Sequence, residues 1–223
     1  MQTPNAAGFV LAGGKSSRMG RDKALVEFRG QPLVAHALRI LREAGLSTSI
    51  AGSQPGLEAY APVVPDPNPG LGPLGGVCAA LASIETQWAV FVSIDQPLLP
   101  PSLLRSLLHH AESSGKPVVL ASLAGFAQTF PAVVDRALLP ALQAELDFGR
   151  AGCFSAFKAA SNRAGYPIEV LAAEVLSQNG QVSHPDGVAP ENWFLNINSA
   201  DDLRIAEAIV APDPRKPSIH RVS

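Results

Sequence analysis

The segment Leu11–Lys23, LAGGKSSRMGRDK, has the residue types and spacing to hold a polyphosphate. Paired glycines, Gly13 and Gly14, follow an apolar run, and three cations follow them at Lys15, Arg18 and Lys23. Glycine lets a backbone approach a ligand closely and turn several N–H groups to one side. Long cationic side chains around such a concavity complement phosphate oxygens. The spacing is neither that of a Walker A loop nor that of the Gly-x-Gly-x-x-Gly dinucleotide fingerprint. The alternative, a flexible turn with solvated charges, accounts poorly for three cations interleaved with glycines and serines directly after a strand.

A second candidate is Asp95, in FVSIDQPLLP. An acid immediately after a very apolar strand lies at the carboxyl edge of a sheet, where open α/β folds bind ligands. A carboxylate there can hold Mg²⁺, which prefers oxygen ligands drawn from one or two carboxylates and substrate phosphates. Helix capping is the competing role, but Asp95 lies too far upstream of the helix expected near Pro100. The third feature is Ala61–Gly76, APVVPDPNPGLGPLGG, with prolines at 62, 65, 67, 69 and 73 and glycines at 70, 72, 75 and 76. That composition excludes a helix or central strand interior, so a shaped loop with Asp66 at its head is expected.

The elements that must position these residues alternate along the first half. Ala7–Leu11, Ser47–Ala51, Val63–Val64 and Trp88–Ile94 read as strands. Pro32–Ala44, Pro73–Ile84 and Pro100–Glu112 read as helices, from apolar spacing and proline at their starts. Such alternation implies βαβ units and a mostly parallel sheet. Further on, Pro117–Ser122 and Gln128–Val134 read as neighbouring strands joined around Gly125, Ala137–Glu145 and Ala151–Ala160 as helices, and Phe194–Ile197 as a late strand. Ser199 stands where a helix N-cap belongs, with Asp201 and Asp202 in the first turn.

Composition bounds the class. The chain has 223 residues, 47% hydrophobic and 16% charged, enough for a full core without disulfide or metal staples. A net charge of -2 argues against a broad nucleic-acid footprint. Cys78 and Cys153 offer no disulfide framework or zinc spacing and read as small buried residues. The histidines at 36, 109, 110, 184 and 220 show no ligand spacing with a third donor, and no Gly-x-Ser-x-Gly elbow occurs. No secretion signal or membrane-length apolar run is evident, so a cytoplasmic protein with no membrane partner is expected. One domain over 1–211 is expected, with a loose proline-containing tail over 212–223.

Taken together, these segments resemble the molybdenum cofactor guanylyltransferase family of nucleotidyltransferases. Leu11–Lys23 matches the family signature Leu-Ala-Gly-Gly-x-Ser-x-Arg-Met-Gly-x-x-Lys at its fixed positions, Gly72–Gly76 its Gly-Pro-Leu-Gly/Ala-Gly segment, Asp95–Pro97 its Asp-x-Pro, and Asn196–Ser199 its Asn-x-Asn-Thr/Ser. The resemblance spans roughly residues 7 to 210. It implies a three-layer αβα Rossmann-like fold, with GMP transferred from GTP to the molybdenum-molybdopterin cofactor and pyrophosphate released. It places Leu11, Ala12, Gly13, Gly14, Lys23, Asp66 and Asp95 at the nucleotide, Lys23 and Asp95 as catalytic, and Mg²⁺ on Asp95. Asn196 and Asn198 fall near the pterin phosphate or the metal. GTP and the molybdopterin cofactor are the implied partners, with proteins of cofactor biosynthesis or chaperones as further candidates.

Two positions depart from the pattern. Ala51-Gly52-Ser53 stands where the family often has a nucleotide-touching asparagine; here that interaction is either missing or made by backbone groups. Asp-Gln-Pro at 95–97 is frequent in related cytidylyltransferases, so a CTP-dependent transferase, or one with another phosphorylated acceptor, is the alternative. Arg150 and Lys158, flanking a helical segment, are candidates for binding the pterin phosphate, against the alternative of a solvated helix face.

Overall fold

A computed structural model of the chain describes residues 5–12, 22–67, 69–70 and 72–211. Gly13, Gly14, Lys15, Arg18 and the 212–223 segment lie outside the described residues.

Strand β1 (Ala6–Leu11) leads to a two-residue-per-strand hairpin, β2 (Glu27–Phe28) and β3 (Gln31–Pro32), and helix α1 (Leu33–Glu43). Then come β4 (Ser47–Ala51), β5 (Val63–Val64), α2 (Pro73–Ala82), β6 (Trp88–Ser93) and α3 (Pro101–Ser114). The second half contains β7 (Val118–Leu123), β8 (Phe126–Asp135), α4 (Leu139–Asp147), α5 (Cys153–Arg163), β9 (Glu169–Ala172), α6 (Ala173–Gln178) and α7 (Ala200–Val210).

Seven strands form one sheet in the order β5-β4-β1-β6-β8-β7-β9. Four pairings are parallel (β1 with β4 and β6, β4 with β5, β7 with β9), and β8 runs antiparallel between β6 and β7. The period of two along each strand divides the core into two layers. Val10, Trp88, Val90 and Val92 pack with α1 and α3 on one face; Phe9, Leu11, Ala89 and Phe91 pack with α2, α4 and α5 on the other. This is a three-layer αβα arrangement, as the family resemblance implies, and its sheet is mostly parallel, as the strand–helix alternation implies. Strand β1 carries apolar residues to both faces, so its whole length reads as one apolar run.

From β1 the chain moves outward to β4 and β5, then returns through α2 to β6 on the other side of β1. The strand order therefore reverses between β1 and β6, with Leu11 registered against Ser93. The parallel strands β1, β4, β5 and β6 all end on that edge, bringing Ala12, Gly52, Asp66 and Asp95 to one rim.

The expected strands Ser47–Ala51 and Val63–Val64 form over those residues, and the other first-half elements over nearly the expected ranges. Pro32 stands just outside α1 with extended backbone, and α2 begins with Pro73 in its first turn. The expected helix over 137–145 is a short 3-10 turn, Arg136–Leu138, started by Asp135 accepting from Ala137 N, followed by α4. The late strand expected over 194–197 does not form. Phe194 and Ile197 are both buried in the core, three residues apart rather than alternating, and Ile197 N donates to Asp95 O at 2.9 Å instead of joining a ladder. Strand β9 and helix α6 had no expected counterpart. No described helix is long and apolar enough to cross a membrane.

Candidate active site

Three segments distant in sequence meet at the edge between β1 and β6. Lys23 opens a 3-10 turn, Lys23–Leu25, whose preceding residue Asp22 accepts from Ala24 N at 3.0 Å. Gln54, from the loop after β4, donates to the same Asp22 oxygen at 3.2 Å, tying the base of the Lys23 turn to the neighbouring strand end. Burial of Ala24 turns this short element into the core and leaves the Lys23 side chain crossing the rim.

The Lys23 ammonium lies 2.7 Å from Asp95 Oδ2 and 2.5 Å from Asn198 Oδ1. Both partners of the ion pair are largely covered, with side chains 18% and 17% exposed. The other Asp95 oxygen accepts from Ser93 Oγ at 2.5 Å, so both carboxylate oxygens are engaged. Ser93 ends β6, so its hydroxyl and the acid two residues on share an edge by strand geometry.

Asn198 is fixed independently. Its N–H donates to Asp202 Oδ2 at 2.9 Å, while Ser199 caps α7 by accepting from Asp202 N at 3.2 Å. The Asn198 N–H, then the Ser199 hydroxyl, hold the Asp202 carboxyl below its usual range, with the Lys23 charge adding to the effect. The Ile197 N–H on Asp95 O completes the attachment of this C-terminal segment to the site.

Leu11 and Ala12 end β1 beside this cluster, and Ala12 N donates to Ala51 O at 3.0 Å. Gly52 (φ +150°) follows; a Cβ there would lie 2.2 Å from Ala12 O, so a side chain cannot be accommodated without moving the end of β1. Gly52 N donates to Val64 O and Ser53 Oγ lies 3.2 Å from Asp66 N, so this stretch spends its polar groups fastening β5 and Asp66. The Asp66 carboxylate abuts the first turn of α2: a Cβ on Gly75 would meet its oxygens at 2.5 and 2.7 Å. A bare Cα at Gly75 thus lets a carboxylate settle over the helix start, where the dipole favours negative charge.

Of the residues singled out in the sequence, Lys23, Asp95 and Asn198 are in direct contact, with Leu11 and Ala12 alongside and Asp66 on the same rim. Gly13 and Gly14 lie outside the described residues. The Asn196 side chain turns back onto Phe194 O at 3.3 Å rather than toward Lys23. Arg150 precedes α5 and pairs with the buried Glu145 at 3.2 Å, which Arg163 also contacts. Lys158 is exposed on α5. Sequence reasoning missed Ser93, Gln54 and Asp202. Ser93 had a readable signal, two residues before Asp95 at the end of an apolar strand. Asp202 had one in the Ser199 N-cap three residues before it, which pointed to helix capping and not to support of Asn198. Gln54 acts through a folded contact that no local pattern announces.

A doubly wound sheet with lysine, carboxylate and amide converging at its switch point is the architecture of a nucleotidyltransferase fold. A crystal structure of molybdopterin-guanine dinucleotide biosynthesis protein A from Archaeoglobus fulgidus has the same fold, with TM-score 0.71 over 91% of this chain and 97% of that chain at 21% identity. Residues 8–163 match the MobA-like NTP transferase domain, and the chain belongs to that family. It is 35% identical to a molybdenum cofactor guanylyltransferase of Vibrio atlanticus over 198 residues, 87% of this chain and 91% of the relative. Against a second, from Xanthomonas euvesicatoria, it is 44% identical over 103 residues, 45% of this chain and about half (52%) of the relative's length.

Proposed function

We propose that the protein transfers GMP from GTP to the molybdenum-molybdopterin cofactor, forming the molybdopterin guanine dinucleotide and releasing pyrophosphate. The observation carrying this reading is the Lys23–Asp95–Asn198 cluster at the strand-order reversal beside Leu11 and Ala12. The relatives of this chain named as guanylyltransferases favour GTP over the CTP alternative raised by Asp95-Gln96-Pro97.

The reaction is an in-line displacement at the α-phosphorus. A phosphate oxygen of the pterin acceptor forms the new P–O bond as the bond to the bridging α–β oxygen breaks, and pyrophosphate leaves with that electron pair. The acceptor oxygen is already anionic near neutral pH, so little general-base assistance is required. The barrier lies in bringing two polyanions together, and positioning and electrostatics supply the rate. Lys23 provides positive charge for the leaving phosphates, Asp66 and the start of α2 shape the nucleotide side, and Asn198 sits where the acceptor side meets the phosphates.

The donors present suit Mg²⁺. Asp95 and Asn198 offer hard oxygens that already converge on one cation, the Lys23 ammonium. Among the described residues no group of three His, Cys, Asp or Glu could form a complete metal cage. A shell finished by water and substrate phosphates is the habit of Mg²⁺. Bound there, Mg²⁺ would neutralise charge on the phosphates.

The test supplies purified protein with Mg²⁺, the molybdenum-molybdopterin cofactor and either GTP or CTP, and measures pyrophosphate release. Turnover with GTP is expected, reduced by about 10²–10³-fold in Asp95→Ala and in Lys23→Ala while circular dichroism stays native. Near-normal turnover in either variant, or turnover with CTP alone, overturns the assignment.

A further inference from the structure

The Lys23 ammonium stands on the two oxygens best suited to a divalent ion. Asp95 Oδ2 is 2.7 Å from it and Asn198 Oδ1 2.5 Å, while Asp95 Oδ1 is taken by the Ser93 hydroxyl. The ion pair is mostly shielded from water. An aquated ion entering alone would have to shed waters for one carboxylate and leave a largely covered ammonium without its partner. Stripping one member of a shielded pair is costly. A triphosphate removes both obstacles, since its oxygens can receive the ammonium and also complete the shell of the ion.

Resting on the reading that Asp95 serves a divalent ion, we infer that Lys23 is a latch on the metal position: in the nucleotide-free protein its ammonium occupies the cation place on Asp95 and Asn198, and a divalent ion is admitted only with the triphosphate that draws Lys23 away. The surroundings are built to hold this resting state. Asp22, gripped by Gln54, fixes the turn from which Lys23 extends. Asp202 fixes the backbone of Asn198, and the Ile197 N–H fixes the carbonyl of Asp95. The backbone of each residue that supplies a latch oxygen is therefore held by its own anchor, and the movable part is the flexible four-carbon stem of Lys23.

The latch also joins the two halves of the site. Asn198 comes from the segment leading into α7, Asp95 from just past the end of β6, and Lys23 from the start of the Lys23–Leu25 turn. One ammonium holds all three in register before substrate arrives. Its transfer to the phosphates would release the Asn198 amide oxygen at the moment the nucleotide is seated.

The test measures Mn²⁺ binding to nucleotide-free protein by electron paramagnetic resonance, for wild type, Lys23→Met and Lys23→Gln, with thermal melting to show that each is folded. Wild type should bind Mn²⁺ weakly, and removal of the ammonium should tighten the apparent Kd by at least about tenfold, the scale of a single close charge pair. The gain should vanish when Asp95→Asn is added to either variant. Lys23→Gln serves if Lys23→Met does not fold. Equal affinity in wild type and the neutral variants overturns the latch, as does a gain that survives Asp95→Asn. These outcomes separate from failure of the proposed activity: wild type that turns GTP over while the Mn²⁺ affinities are equal refutes the latch alone, whereas the expected Mn²⁺ pattern without turnover refutes the activity alone.

Discussion

Replacing Gly52 by alanine tests how closely the β4 end is fitted to the end of β1. A Cβ at Gly52 would lie 2.2 Å from Ala12 O and 3.0 Å from Ala12 C, and φ is +150°. Since Cβ atoms essentially never sit nearer than 3.0 Å to another heavy atom, the carbonyl must retreat by about 0.8 Å. That carbonyl belongs to the residue immediately before Gly13 in the Leu11–Lys23 signature proposed to hold the triphosphate, and Ala12 N is itself bonded to Ala51 O. The stability cost is that of one strained residue, about 1–3 kcal/mol. For a chain of this size each kcal/mol lowers Tm by about 2–4 °C. Displacements near 1 Å in a positioning element can cost about 10²-fold in rate. Gly52→Ala is therefore expected to remain folded, to melt several degrees lower, and to show kcat/KM for GTP reduced by about 10²-fold, measured by pyrophosphate release. Gly30→Ala is the control. Its φ is +74° but nothing lies within 4 Å of the added Cβ, so it carries backbone strain without crowding the site. It should melt lower and keep its activity. Wild-type kcat/KM in Gly52→Ala, or equal activity losses in the two variants, would refute the reasoning.

Two further outcomes concern pH and the second core layer. His36 is buried on α1, with its ring Nε2 2.7 Å from Phe28 O; burial foremost, then the charges of Arg39 and Arg29, keep its pKa below the ordinary 6.5 despite that bond. The unfolded chain therefore takes up a proton before the folded one does, so stability is full above about pH 6.5 and falls as pH drops below it. Tm should decline from about pH 7.5 to about pH 5, and His36→Gln, with an amide N–H able to reach Phe28 O, should show a flatter decline; equal slopes would exclude His36 as the cause. Burial by itself would raise the Glu145 pKa, but Arg150 and Arg163 together hold it below its ordinary 4.5. Glu145→Gln should lower Tm near neutral pH, with the difference from wild type shrinking as pH falls below about 4.5, and a constant difference down to about pH 3 would contradict the ion-pair role.

The sequence by itself determined the alternating architecture, the boundaries of β4 and β5, and the chemical identities of Lys23, Asp95 and Asn198. These are local properties: an apolar run, a proline in a first turn, a serine three residues before an acid. Tertiary structure alone decided which of them meet. Lys23 and Asn198 are separated by 175 residues in the chain and share one hydrogen bond. Which strand lies beside β1 is set by packing of both sheet faces, and the same packing made Phe194–Ile197 a buried loop and recruited Glu169–Ala172 as an edge strand against β7. Gly52 and Gly75 show the division most sharply. Their place in the chain is plain to read, but the reason neither has room for a side chain lies in a carbonyl and a carboxylate that reach them only through the fold.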